Sequence, residues 1–128
     1  MRQNLNGVND LSTLTPEELN AIAEFQGKKF RRIKTNQIRN IFSAITKIRN
    51  DFQTCGGKLE DSIRRELIML KPKLAYAAGR NGEVRPFQEL FDSAVDAVIH
   101  SQKPEEALQN FFLLAEAVVA YHKFYGGN

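Results

Sequence analysis

Apolar side chains recur at spacings of three and four along most of this chain, and no stretch alternates apolar with polar residues between turn signals as a strand would. The clearest stripe is Ile38, Ile41, Phe42, Ile45, Ile48 and Phe52, one face of a helix that follows Thr35 as N-cap candidate and stops at Gly56 and Gly57. Thr15, Pro16 and Glu18 make a capping-box start for Leu19, Ile22, Ala23 and Phe25, with Gly27 as the stop. A third helix opens near Glu60 or Asp61, carries Ile63, Leu67, Leu70, Leu74 and Ala77 inward, and ends about Gly79. Pro72 lies inside it. A proline in a helix interior removes a hydrogen bond and crowds the preceding turn at a cost of about 3 kcal/mol, so a kink or break is expected at Met69 to Lys71. Gly82 and Pro86 introduce a fourth helix with Phe87, Leu90, Phe91, Ala94, Val95 and Val98 inward. Pro104, with Glu105 and Glu106 in the first turn, opens a fifth that is apolar almost all round from Leu108 to Ala120, a pattern that belongs at the centre of a fold. The chain is thus expected to be all-α: a compact bundle of about five helices in one domain, 1–128, with residues 1–14 a loose N-terminal arm.

Composition removes several classes of function from such a bundle. With 128 residues, 42% of them hydrophobic, the chain can build its own core. No apolar run approaches the roughly 18 residues of a membrane span, so a soluble, cytoplasmic protein with no membrane partner is expected. Cys55 is the sole cysteine, which excludes an internal disulfide or a cysteine-built zinc site and reads as a small core hydrophobe. His100 and His122 stand apart, without a metal-binding spacing or a Ser or Cys partner pattern. Glu89, Asp92 and Asp96 share a face of the fourth helix, but three carboxylates without His or calcium-loop spacing read as a solvated or subunit-docking face rather than a metal site. Neither catalytic residues nor a cofactor or metal are assigned.

Charge points elsewhere. Lys28, Lys29, Arg31, Arg32, Lys34, Arg39, Lys47 and Arg49 fall within 22 residues that contain no Asp or Glu, the electrostatic footprint of a site for a polyanion. Residues 83–116 hold seven acids against Arg85 and Lys103, so the net charge of +3 conceals a basic flank and an acidic one. On a wheel of about 100° per residue the second helix turns Arg39, Ser43, Thr46, Lys47 and Asn50 outward, groups that can grip phosphate and ribose without reading sequence. Arg49 falls inside the apolar arc, so either its stem covers core surface while the guanidinium reaches water, or that end of the arc opens to a ligand or neighbour. On the third helix Lys73 and Arg80 share a side with Met69 and Tyr76, whereas Arg64 and Lys71 face another way. A bend at Pro72 would bring Lys71, Lys73 and Arg80 together beside the second helix. Phe30, within KKFRR, reads either as a stacking platform for a base or as an anchor of its loop to the core.

Three blocks add more than physical pattern: TNQIRNIFSAITKIRND from Thr35 to Asp51, LKPKLAYAAGR from Leu70 to Arg80, and EAVVAYHKFYGG from Glu116 to Gly127. In this order they resemble the small subunit of type III-A CRISPR effector complexes, the Csm small-subunit family, from about Thr35 onward. The resemblance implies a non-catalytic, helical RNA-binding subunit of a ribonucleoprotein, lying as adjacent copies in an inner filament beside the backbone and large subunits. Its partners would be target RNA and guide RNA, further copies of itself, and those subunits. It implies RNA contacts at Arg39, Lys47, Arg49, Lys71, Lys73 and Arg80, with Lys123 a further candidate. Arg31, Arg32 and Lys34 join the set from the basic run, and Glu89, Asp92 and Asp96 are the docking face. A helical DNA-binding regulator, or an adaptor whose basic face binds an acidic protein, are the alternatives.

Overall fold

The computed structural model describes residues 2–126, which form five α-helices: α1 (Pro16–Lys29), α2 (Thr35–Thr54), α3 (Asp61–Arg80), α4 (Arg85–Ile99) and α5 (Pro104–Phe124). No strand occurs among the described residues. Short 3-10 turns at Leu11–Thr13 and Gly82–Val84 precede α1 and α4. The capping box forms at the start of α1: Thr15 Oγ1 accepts from the Glu18 N–H at 3.1 Å, and the Glu18 carboxylate accepts from the Thr15 N–H at 3.0 Å. α2 ends where Gly56 and Gly57 take φ values of 71° and 75°, which lets their N–H groups turn back to the carbonyls of Gln53 and Phe52.

α5 is the axis of the bundle. It packs against α1, α2, α4 and the Leu11–Thr13 turn, with Ala107, Leu108, Phe111, Phe112, Leu114, Ala115 and Val118 buried around most of its circumference. α1 runs parallel to it: Asn110 donates to the carbonyls of Leu11 and Leu14 near one end, and Gly27 meets Tyr121 near the other. α2 returns antiparallel to α5, tied by His122 at its start and Glu116 towards its end. α3 then lies along α2, and α4 along α3. Through the middle run Phe30, Phe87, Phe91, Phe111, Phe112 and Phe52, each ring centroid 4.7 to 6.0 Å from the next. Such edge-on and tilted pairs add about 0.5–1.5 kcal/mol each beyond the burial of their area.

The structure corrects several local expectations. The segment before α1 is not a loose arm, because Leu5, Leu11 and Leu14 are 5%, 0% and 6% exposed and join the same core as the helices. Asp10 fastens it to the α4–α5 turn, accepting from the Ser101 hydroxyl and, at 3.0 Å, from the Gln102 N–H. Thr35 is the first residue of α2 rather than its cap, and its hydroxyl is buried without a partner. The burial of Phe30 and Ile33 fixes the loop's path, so the helix starts from the Lys34 carbonyl instead. α3 runs unbroken through Pro72: the proline is exposed, and Leu67, Leu70 and Leu74 hold the helix to the core across it. Gly27 does not stop α1, which continues to Lys29. It lets two helices touch, since a Cβ there would lie 2.6 Å from Tyr121 Cβ and 2.9 Å from the His122 nitrogen.

Gly27→Ala must therefore push α1 off α5. The expected cost is about 1–3 kcal/mol, seen in thermal melts as a Tm lower by roughly 4 °C or more, and an unchanged Tm would refute the close approach. The Asp10 clasp gives a pH signature. The Ser101 hydroxyl first, then the Ser12 hydroxyl and the N–H groups of Gln102 and Ser12, hold the Asp10 carboxyl at about 2, below its ordinary 3.8. A depressed carboxylate stabilises the fold fully above its unfolded value, and the contribution is lost as pH falls from there through about 2. Asp10→Asn should lower Tm by roughly 4 °C at neutral pH, the loss of about one charge-assisted hydrogen bond, and the gap to the parent should close in melts near pH 2.

Candidate nucleic-acid interface

Between α2 and α3 lies a cleft of about 550 Å³, with Asn36, Gln37 and Asn40 on one wall and Lys73, Tyr76 and Arg80 on the other. A hollow of about 270 Å³ continues along the same seam, sharing Ala44 and Lys73 and adding Lys47, Arg65 and Met69. The α3 wall follows from spacing: Arg65, Met69, Lys73, Tyr76 and Arg80 are three or four residues apart, so a single stripe alternates cations with apolar groups. The core does not use them. Met69 and Tyr76 are 53% and 67% exposed, and the Arg80 guanidinium sits 5.8 Å from the Tyr76 ring. The Gln37 side-chain amide oxygen, on the opposite wall, is buried without a hydrogen-bond partner.

The cations expected at the site divide into two groups. Lys73 and Arg80 line the cleft, and Arg39 is exposed on α2 next to Asn40; none of the three has a carboxylate within ion-pair distance among the described residues. Three others are engaged. Lys71 turns towards α4, 2.7 Å from Asp96 and 3.7 Å from Asp92, and the hydrogen bond to Asp96, with the two carboxylates' charge, pushes its ammonium up. Its convergence with Lys73 does not occur, because positions two apart on an unbroken helix point roughly 200° apart. Arg49 binds Glu116 of α5, which answers the puzzle of a guanidinium in an apolar arc: it closes the α2–α5 seam above Phe52 and Phe112. Lys47 reaches Asp51 at 2.8 Å and Glu66 of α3 at 3.0 Å, and these bonds raise its pKa. Its side chain is still 69% exposed, a setting in which water and salt keep ion pairs weak and exchangeable.

The basic loop is rigidly presented. Phe30 and Ile33 are 1% and 3% exposed, while Lys28, Lys29, Arg31, Arg32 and Lys34 between and around them face solvent. Phe30 is thus the anchor of its loop and not a platform for a base. Lys123 is exposed at the end of α5. On the acidic side, Asp92 and Asp96 spend part of their charge on Lys71, and Glu89 is exposed at a polar hollow that it shares with Lys29 and Phe25. No group of three metal-ligating side chains forms among the described residues. Burial pushes the Cys55 thiol up, away from the reactive thiolate. No helix of the described chain is long and apolar enough to cross a membrane.

The family model described as Csm2 Type III-A matches residues 13–128, which takes in all five helices and the basic loop. The chain belongs to the Csm2 family. It is accordingly a small subunit of the type III-A CRISPR complex, similar along most of its length to curated relatives. It is 33% identical over 119 residues to the CRISPR system Cms protein Csm2 of Enterococcus italicus, covering 85% of this chain and 82% of that protein. It is 30% identical over 95 residues to the Streptococcus thermophilus protein of the same name, covering 74% of each. No solved structure gives a significant match.

In this Csm2-family subunit, Tyr76, Asn36 and Asn40 are the cleft residues that the sequence reading left unassigned. Their signal was present: Tyr76 sits one turn from both Lys73 and Arg80, and the asparagines sit one turn apart on α2. The division between engaged and free cations is testable by melting. Lys71→Ala leaves Asp92 and Asp96 facing each other and should lower Tm by roughly 4 °C, whereas Lys73→Ala, on an open wall, should change it by no more than about 2 °C.

Proposed function

We propose that this subunit is a non-catalytic RNA-binding component of its complex, holding target RNA, alone or paired with guide RNA, by its backbone along the α2–α3 cleft. Adjacent copies, together with the backbone and large subunits, would extend that contact into a filament, with Glu89, Asp92 and Asp96 on the flank that meets a neighbour. The observation that carries the reading is the pair Lys73 and Arg80, two cations without carboxylate partners among the described residues, on one wall of an open cleft. Opposite them, Asn36 and Asn40 offer amide donors for phosphate and both donors and acceptors for ribose hydroxyls. Tyr76 offers a flat face that any base can stack on. Arg39 and the exchangeable ammonium of Lys47 extend the positive track along α2. Contacts of this kind set position without reading bases, as a subunit that must accept every target requires, with specificity delegated to guide pairing.

Filter binding of two unrelated single-stranded RNAs at several salt concentrations tests this. The affinities should be equal within a few-fold and fall with a log-log slope of about −0.7 per phosphate neutralised. Lys73→Glu with Arg80→Glu should weaken binding at least tenfold and flatten the slope by about 1.4, while Arg49→Ala leaves both unchanged. Tight binding to one duplex DNA sequence, or no salt-dependent RNA binding at all, would overturn the proposal in favour of a DNA-binding regulator or a protein adaptor.

A further inference from the structure

The corner where the C-terminal ends of α1 and α5 meet the Lys28–Lys34 loop carries the most exposed large apolar side chain of the described residues, Phe124 at 75%. Its surroundings are built, not frayed. Tyr125 packs edge-on to it at 5.0 Å and stacks on Tyr121 at 6.3 Å. The two phenols donate to Glu24 and Asn20 of α1, each at 2.8 Å, and Lys28 Nζ lies 5.6 Å from the Tyr125 ring. The loop is bound to α5 two residues before Phe124, where His122 Nε2 donates to the Ile33 carbonyl at 2.7 Å. The fold thus fixes an aromatic face that its own core does not use, beside a loop whose every exposed charge is positive.

We infer that this corner is a second RNA contact, in which a nucleobase of single-stranded RNA stacks on Phe124 while the Lys28–Lys34 cations hold the flanking phosphates; the inference rests on the RNA-binding reading of the cleft. Two observations select RNA as the occupant. An aromatic ring beside basic side chains is the chemistry of single-strand binding, and Glu24, the acid in the corner, is already bound by Tyr125. The corner also continues the cleft, because the loop runs straight into the first turn of α2, where Asn36 and Gln37 face Arg80. Lys34, Arg32 and Arg31 occupy the segment between that turn of α2 and the end of α1 at the corner.

The chain has no tryptophan, so Phe124→Trp installs a sole indole reporter. Titrated with an oligouridylate long enough to span cleft and loop, its emission should be quenched saturably, and an oligomer that fills only the cleft should leave it unchanged. Phe124→Ala should weaken binding of the long RNA roughly tenfold and leave the short one unaffected, with the salt slope unchanged because stacking neutralises no phosphate; Phe124→Trp should restore the affinity. If the long RNA leaves the indole unquenched and Phe124→Ala binds normally while the Lys73 and Arg80 reversals abolish binding, this inference falls and the cleft stands. If the reversals also have no effect, the cleft reading falls with it. Loss of other subunits from the assembled complex on Phe124→Ala, at unchanged RNA affinity, would make the ring a protein contact and overturn the inference.

Discussion

The line of phenylalanines from Phe30 to Phe52 is the constraint on which the rest of the molecule depends. Phe30 packs against Phe87 with centroids 5.4 Å apart and is 1% exposed, so Lys29 and Arg31 on either side of it are turned to water. Burying a phenylalanine stabilises by about 1.5–3 kcal/mol, and each aromatic pair adds to that. Repulsion among solvated like charges is screened beyond roughly 8 Å at physiological salt. Burial outweighs it. The densest run of positive charge in the chain is thereby held on a fixed path between α1 and α2, and the helix that follows starts where that path ends.

The same rigidity sorts the cations of the helices. Because α3 passes through Pro72 without interruption, Lys71 and Lys73 keep a helical angle that sends one to the carboxylates of α4 and the other to the cleft. A broken helix would have merged them. Lys71, Arg49 and Lys47 instead link α3 to α4, α2 to α5 and α2 to α3, one paired cation for each of three seams around the bundle. Lys73 and Arg80 close no seam. The cleft is positive because the packing does not spend its charge.

This division marks the limit of what the sequence conveys. The helices and their buried faces were legible because periodic burial is a local pattern: Phe87, Leu90, Phe91, Ala94, Val95 and Val98 all lie where their spacing put them. The cation pairings were not, since their partners come from other helices at separations of 19, 25 and 67 residues. The N-terminal segment misled for a related reason. Leu5, Leu11 and Leu14 are too irregularly spaced to form a stripe, and only the surface offered by α5 and the α4–α5 turn decides that they are buried. Gly27 looked like punctuation and is an interhelical contact, a distinction made by Tyr121, nearly a hundred residues away. At the candidate site, Lys73 and Arg80 could be placed on one face from spacing alone, whereas which face of α2 stands opposite them is decided by how the two helices pack.

A cluster of like charges without acids still has to be tolerated by the fold, and the parallel arrangement of α1 and α5 supplies the reason. Both helices end at the basic loop, with Lys28 and Lys29 in the last turn of one and Lys123 in the last turn of the other. A helix C-terminus carries roughly half a negative elementary charge, so two of them side by side stabilise the cations there without neutralising them. Carboxylates interleaved with the cations of the loop itself would have formed ion pairs and closed the surface to an outside anion. Backbone dipoles achieve the stabilisation while leaving every ammonium and guanidinium with donors to spare, and a surface built on dipoles is therefore both stable and open.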